Sequence, residues 1–198
     1  MNIRINNYIP ISTVEGPGKR FVIWTQGCSL QCEGCANSHM WDINAGTVFN
    51  TTDIISLIRH YSHEIEGITF LGGEPLNQIQ PVIEISKAVH NMGLSILLFT
   101  GYEYPQICQN DNFMELKEYL DILIDGRFDI KKLDYSRPWV GSSNQNYYFL
   151  SDRYNQNILQ EYKNKIEIRF DTNNTKIILN GMGNYQKAVE LLKETILC

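Results

Sequence analysis

Three cysteines lie close together in the segment GCSLQCEGC, at Cys28, Cys32 and Cys35. Clustered thiolates bind iron–sulfur clusters or zinc. A structural zinc site and a four-iron cubane each take four protein ligands, and a disulfide takes two cysteines. Three cysteines on a cubane therefore leave one iron open to a ligand from outside the loop. A zinc site completed by His39 or Cys108 is the alternative.

The segment GGEP, from Gly72 to Pro75, is a second candidate for chemistry. Two glycines let the backbone approach a ligand closely, because no side chain intervenes. The carboxylate of Glu74 can accept a charge-assisted hydrogen bond from an ammonium group. On its own, the segment could equally form a plain turn.

Two further loops, TGY from Thr100 and DGRF from Asp125, follow hydrophobic segments in the same way. The Thr100 hydroxyl could contact a ligand or cap the next helix. The Asp125 carboxylate could bind a ligand or serve as a turn residue. Both loops are therefore candidates, with a structural alternative for each.

Hydrophobic segments precede all four loops, and we predict that each is a buried strand. These strands are Arg20–Trp24, Gly67–Gly73, Leu94–Phe99 and Asp121–Gly126. Amphipathic helices are predicted between them, over 51–61 with Thr51 or Thr52 as the cap, over 80–93, and near 113–120. This alternation predicts parallel βαβ units, whose strands end at one edge of the sheet. We therefore expect the four loops to meet there.

The pattern changes near Tyr154. The segments KIEIRF and TKIILNG flank DTNN and predict a β-hairpin, and a closing helix is expected from Asn184 to Leu197. We predict a core domain over residues 1–150. Residues 151–198 are predicted to form a C-terminal hairpin–helix extension packed on it.

Composition narrows the functional class. The chain has 198 residues and a net charge of −5, which argues against general nucleic-acid binding. The N-terminal segment is polar and no stretch reaches the length of a membrane span, so we predict a cytoplasmic protein without a membrane partner. Five cysteines in a reducing compartment favour a metal site over disulfides. Lys19 and Arg20 are interpreted as a solvated pair or as part of a partner surface.

The segment VEGPGKRFVIWTQGCSLQCEGCANSHMWD resembles the N-terminal signature of glycyl-radical-enzyme activating enzymes, a group within the radical S-adenosylmethionine (SAM) superfamily. The segments LLFTGY, DILIDGRF and RPWVGSSNQ resemble the activating proteins of anaerobic ribonucleotide reductases. The resemblance covers roughly residues 8–150. It implies an α/β fold, a partial (β/α) barrel of the radical SAM type with a small C-terminal α+β extension.

The resemblance also implies the chemistry. Cys28, Cys32 and Cys35 would hold one [4Fe-4S] cluster, and the amino and carboxylate groups of SAM would chelate the open iron. Transfer of one electron then breaks a carbon–sulfur bond and yields a 5′-deoxyadenosyl radical. That radical would take a hydrogen atom from a glycine of a glycyl radical enzyme, an anaerobic ribonucleotide reductase. Flavodoxin or ferredoxin would supply the electron.

No catalytic residue is expected beyond the cluster ligands, and the predicted cofactor-binding residues are those of the four loops and of GSSNQ. They are Gly34, Cys35, Ala36, Gly72, Gly73, Glu74, Thr100, Asp125, Ser142 and Asn144. By the same resemblance, the backbone of Gly34, Cys35 and Ala36 lies near the adenine, although Ala36 replaces a common aromatic residue. Ser142 and Asn144 could also belong to a polar turn.

Two other functions remain open on the sequence. The same radical chemistry could act directly on a peptide or a small molecule, because the segment after about Leu150 exceeds the shortest members of the family. A zinc or iron–sulfur electron-transfer module without enzymatic activity is the second alternative.

Overall fold

The computed structural model describes residues 1–171 and 176–196. In these ranges the strands are β1 (Asn2–Ser12), β2 (Arg20–Thr25), β3 (Thr47–Asn50), β4 (Gly67–Gly72), β5 (Ser95–Phe99), β6 (Ile122–Asp125), β7 (Asn146–Phe149), β8 (Ile166–Asp171) and β9 (Lys176–Gly181). The helices are α1 (Thr51–Tyr61), α2 (Ile79–His90), α3 (Tyr104–Ile107), α4 (Asp111–Lys117) and α5 (Tyr185–Ile196). Most of the predicted DTNN turn, together with Leu197 and Cys198, lies outside the described residues.

Seven strands form one open sheet in the order β3-β1-β2-β4-β5-β6-β7. The four predicted strands, β2, β4, β5 and β6, are consecutive neighbours and run parallel to one another. The predicted α/β class is therefore confirmed. The sheet does not close into a barrel, because β3 and β7 are its free edges.

Both faces of the parallel strands are covered, as the continuous hydrophobic segments predicted. One face packs against α1, α2 and α4 through residues such as Phe21, Phe70 and Leu98. The other face carries Val22, Leu97 and other alternating residues, which pack under the segments that follow β6. Since every residue of β2 is buried, this strand lies at the centre of the fold.

The antiparallel strand β1, which lies between β3 and β2, was not predicted from the sequence. It pairs antiparallel with β2 and β3, and its buried residues are Ile3, Ile5, Ile9 and Ser12. The pairing with β2 shifts register twice, between Ile5 and Asn7 and between Ile9 and Ser12. Such irregularities break the strict alternation by which a half-buried strand is recognised.

The cap of α1 differs from the prediction. Asn50, rather than Thr51 or Thr52, precedes the first helical residue, and its side chain accepts a hydrogen bond from the Thr52 amide at 3.1 Å. Asparagine is among the strongest N-cap residues, because its short side chain reaches the free amides of the first turn. The helix itself spans the predicted residues.

Arg20 is neither solvated nor on a partner surface, which corrects the sequence-based interpretation. Its side chain is fully buried and donates to Thr69 Oγ1 at 2.7 Å, to Ser95 Oγ at 3.0 Å and to the carbonyl of Pro17 at 3.1 Å. Burial lowers the pKa of the guanidinium. A Cβ at Gly16 would lie 2.5 Å from Arg20 Cδ. The segment GPG, from Gly16 to Gly18, therefore packs closely against this side chain.

The C-terminal hairpin and helix are confirmed. Strands β8 and β9 pair only with each other, as a separate antiparallel sheet. Side chains attach this hairpin to β1: Ser12 Oγ donates to Glu167 at 2.8 Å, and Arg169 donates to the carbonyl of Ile11. Among the described residues, no helix is both long enough and apolar enough to cross a membrane.

Candidate active site

The carboxyl ends of the parallel strands open into a cavity of about 380 Å³. This volume is at the low end of the range for small-molecule sites. Most of the predicted site residues line it: Cys28, Cys32, Gly34, Cys35, Ala36, Gly72, Gly73, Glu74 and Thr100. Gly126 and Phe128 of the DGRF segment line it too, so the topology brings all four predicted loops together, as expected for strands that end at one edge.

The cysteine loop runs from the end of β2 to Trp41, and hydrogen bonds join its two ends. The Gly27 amide donates to the carbonyl of Met40 at 2.8 Å, and the Cys28 amide donates to that of Trp41 at 3.1 Å. The three thiols are free and half-buried. Burial raises the pKa of the Cys35 thiol. The loop thus presents its three sulfur atoms from one short, closed segment.

The two glycines of GGEP allow a close approach, and the group they approach is the cysteine loop itself. A Cβ at Gly72 would lie 2.7 Å from the Thr25 amide, and one at Gly73 would clash with the carbonyl of Gly27. The Gly73 amide donates to Thr25 at 2.8 Å and the Glu74 amide donates to Gly27 at 2.9 Å. Glycine is therefore required here to join two loops, apart from any contact with a ligand.

Glu74 connects the GGEP loop to the TGY loop. Its carboxylate is buried and accepts from the Leu76 amide at 3.0 Å, from Thr100 Oγ1 at 2.9 Å and from the Gly101 amide at 2.8 Å. Burial outweighs these hydrogen bonds and raises the pKa of Glu74 to about 7. A carboxylate has roughly four acceptor positions, so about one remains for a group in the cavity.

Three side chains that the sequence analysis did not single out hold the cysteine loop from outside. Asn77 Oδ1 accepts from the Ser29 amide at 2.9 Å, and the Tyr102 hydroxyl lies 2.9 Å from Ser29 Oγ. Arg127 donates to the carbonyl of Leu30. Tyr102 and Arg127 belong to the predicted TGY and DGRF segments, so their motifs were a usable signal, whereas Asn77 had none.

The three remaining predicted residues, Asp125, Ser142 and Asn144, do not line the cavity. Asp125 accepts from the Tyr104 amide at 2.7 Å and from Asn146 Nδ2 at 3.0 Å. Ser142 Oγ accepts from the Asp129 amide at 3.2 Å, and Asn144 Nδ2 donates to the carbonyl of Arg127 at 2.7 Å. These contacts shape the loops. A direct contact of Asp125, Ser142 or Asn144 with SAM stays a prediction.

The donor set of the cysteine loop fits an iron–sulfur cluster. In the described residues, no three His, Cys, Asp or Glu side chains are close enough together to bind one metal ion. Three thiolates from one short loop are the ligand type that iron–sulfur clusters take. The buried Trp41 Nε1 has no hydrogen-bond partner among the residues that the structure describes. Its indole lies beside Cys35. Hydrogen bonds to cluster sulfur are one way in which proteins set the reduction potential.

Another part of the cavity wall is made by Glu15 and by the end of β9. Glu15 is buried, accepts from the Gly181 amide at 2.6 Å, and lines the cavity together with Asn180, Gly181 and Met182. Burial raises the pKa of Glu15 to about 7. The sequence analysis did not single out these residues. A glutamate inside a glycine- and proline-containing lead-in to a buried strand was the available signal.

Comparison with known proteins gives the family. The model of a 4Fe-4S single cluster domain matches residues 14–148. An anaerobic ribonucleoside-triphosphate reductase-activating protein of Enterobacteria phage T4 is 37% identical over 142 residues, which are 69% of this chain and 87% of the phage protein. The chain belongs to the family of these activating proteins.

Cellular members of the family give the same result. The activating protein of Escherichia coli K12 is 33% identical over 71% of this chain and 94% of its own length, and that of Haemophilus influenzae Rd is 30% identical over 70% and 92%. The matched domain contains the three clustered cysteines and all other predicted site residues. The family match therefore covers the loops that carry these residues, while the part of the cavity wall formed by the end of β9 lies outside it.

Proposed function

We propose that this protein is a radical SAM activase that generates a glycyl radical on an anaerobic ribonucleoside-triphosphate reductase. The observation that carries the proposal is the meeting of the three cysteines with Gly73, Glu74 and Thr100 in one cavity at the carboxyl edge of four parallel strands. The names of the family members state this activating role for those proteins. Four successive parallel strands also support a partial barrel of the radical SAM type.

The cofactors would supply the difficult chemistry and the chain would position them. When bound, the [4Fe-4S] cluster and SAM supply one electron and a 5′-deoxyadenosyl radical, which removes a hydrogen atom from the partner's glycine. Cys28, Cys32 and Cys35 hold the cluster. Glu74 has about one free acceptor position, which suits the ammonium group of SAM.

The surface of the cysteine loop suits delivery of an electron from outside. The exposed residues of the loop are Ser29, Gln31, Glu33, Gly34 and Ala36, while Cys28, Cys32 and Cys35 are half-buried. A flavodoxin or a ferredoxin can therefore approach the loop without opening the fold. Gly34 and Ala36 line the cavity as well, which supports a place for the adenine beside them.

We further propose that residues 1–150 carry the chemistry and that residues 151–198 are an extension of this chain. The family match ends at residue 148, and the 148 residues matched in the Escherichia coli protein already make up 94% of it. That relative has little chain left to correspond to the hairpin and α5.

The test is to combine the anaerobically reconstituted, reduced protein with SAM and a candidate reductase, and to record the EPR spectrum. We expect a glycyl-radical doublet that depends on all three components. Cys32→Ala should lose both the doublet and the formation of 5′-deoxyadenosine, because it removes a cluster ligand. Formation of 5′-deoxyadenosine without a protein radical would favour direct action on a peptide or a small molecule. One zinc ion per chain, together with no cleavage of SAM, would refute the proposal that the protein is a radical SAM enzyme.

A further inference from the structure

The chain places a glycine-containing segment of its own in the wall of the cavity. The segment from Asn180 to Gly183, with the sequence NGMG, lines the same space as the cysteines and Glu74. Asn180 and Gly181 are buried, and Met182 and Gly183 are half-buried. In the proposed reaction this cavity must admit a glycine backbone of another protein. The inference below rests on that proposed function.

The available space argues that both backbones cannot be present at once. A cavity of about 380 Å³ suits one small-molecule ligand, and SAM would occupy it. The glycine of the partner must come within reach of the radical formed from SAM, since a hydrogen atom is transferred only between groups in contact. With SAM in the cavity, the partner's glycine must reach it past a lining segment, and the end of β9 is one of these segments.

The segment is held by a few polar contacts that could be exchanged for others. The Gly181 amide donates to Glu15 at 2.6 Å, and Asn180 Nδ2 donates to Ser12 Oγ at 3.1 Å and to Glu167 at 3.2 Å. Neither β8 nor β9 joins the seven-stranded sheet. A two-stranded hairpin is only marginally stable on its own, so its position depends on such side-chain contacts and on the packing of Ile178 against the cluster around Trp24.

We propose that the Asn180–Gly183 segment takes the place of the partner's glycine backbone in the resting protein, as an internal pseudosubstrate that the partner displaces. Glu15 then binds a backbone amide in both states: that of Gly181 at rest and one from the partner when it docks. The extension would limit radical formation when no partner is present. The apparent affinity for the partner would equal the intrinsic affinity multiplied by the fraction of molecules in the open state.

Hydrogen exchange of the Gly181 amide tests the displacement directly in the unaltered protein. In the reduced protein with SAM, this buried and hydrogen-bonded amide should exchange slowly. Addition of the reductase, at concentrations that give the glycyl-radical doublet, should speed its exchange at least about tenfold. Unchanged or slower exchange would overturn the proposal, because the segment would then stay in place while the partner is activated.

A variant that loosens the hairpin gives a second, kinetic test. Arg169 lies outside the cavity and anchors β8 to the carbonyl of Ile11 while pairing with Glu167 at 2.8 Å. Arg169→Ala should lower the KM for the reductase about tenfold with kcat unchanged, since a hydrogen bond from a charged group is lost only in the closed state. An unchanged or raised KM would contradict a pseudosubstrate and would instead favour a hairpin that helps to bind the partner.

Arg153→Ala is the matched control. Arg153 is also in the extension and similarly exposed, and it donates to the carbonyl of Gly93 at 2.9 Å, away from the cavity. It should leave the KM unchanged. If the unaltered protein forms no glycyl radical with the reductase, the proposed function fails. If the radical forms but either the exchange rate or the KM fails to change as expected, only the pseudosubstrate proposal fails.

Discussion

Replacement of Glu74 by Gln tests whether this carboxylate joins the loops of the site. Both carboxylate oxygens accept hydrogen bonds: Oε1 from Leu76 and Thr100, and Oε2 from Gly101. A glutamine can orient its carbonyl oxygen toward only one side. With that oxygen at the Oε1 position, its NH₂ group faces the Gly101 amide and leaves a buried donor unpaired.

The expected destabilisation follows from that unpaired amide. A buried donor without a partner costs about 1–3 kcal/mol, so we expect a loss of roughly 2 kcal/mol, or about thirtyfold in the folding equilibrium. Glu103→Gln is the control, because it makes the same chemical change at an exposed position whose side chain caps no amide. Anaerobic urea unfolding of the reconstituted proteins measures both variants.

The pH dependence sharpens this prediction. Burial raises the pKa of Glu74 from 4.5 to about 7, so the folded protein binds this proton more tightly than the unfolded chain. The stabilisation that comes from that proton is complete below the unfolded pKa and is lost as the pH rises through about 7. The stability difference between wild type and Glu74→Gln should therefore shrink from pH 6 to pH 8.

Glu15, whose pKa is also raised to about 7, contributes in the same direction, but it is present in both proteins and cancels in the difference. A Glu74→Gln variant that is as stable as Glu103→Gln would refute the role assigned to the carboxylate. A stability difference that grows with pH would refute the direction of its pKa shift.

Three further substitutions test other contacts. Arg20→Lys should destabilise the fold by about 3 kcal/mol in urea unfolding, because several buried acceptors lose their donor, whereas Lys19→Arg should change little. Trp41→Phe should lower the reduction potential of the cluster by about 20–60 mV in a redox titration, and no change would mean that the indole donates no hydrogen bond to the cluster. Gly73→Ala should impair iron incorporation, because its Cβ would clash with Gly27, whereas Gly93→Ala, with open space around its Cβ, should retain full iron.

The central strands could be predicted because both of their faces are buried. Burial on both sides makes a strand a continuous hydrophobic segment, as in RFVIW and LSILLF, and such segments stand out from the sequence. The antiparallel strands β1, β3 and β7 lack this property. β1 carries asparagines and register shifts, and β3 and β7 have four residues each, so their pairing depends on neighbours that are distant in sequence.

Residue chemistry predicted the position of Cys28 and Glu74 in the site but not how Glu74 is held there. A cysteine or a glutamate beside two glycines is informative by type alone. The contacts of Asn77 with Ser29 and of Glu15 with Gly181 join residues 48 and 166 positions apart, and no local pattern specifies them. Arg20 shows the converse error, since a charged residue next to Lys19 reads as solvated until the fold buries it.

The contacts around the cysteine loop bear on how a radical enzyme would gain selectivity. A carbon-centred radical takes a hydrogen atom from whatever suitable group is nearest, so selectivity must come from position rather than from the strength of the reagent. Here the backbone of Met40 and Trp41, the Asn77–Tyr102 pair and Arg127 hold the loop from three sides. The cluster side of the cavity is thus fixed, and the side formed by β9 is held by a few polar contacts and by the packing of Ile178. A site with one fixed wall and one exchangeable wall can hold its cofactors constantly while it admits a protein substrate only on demand.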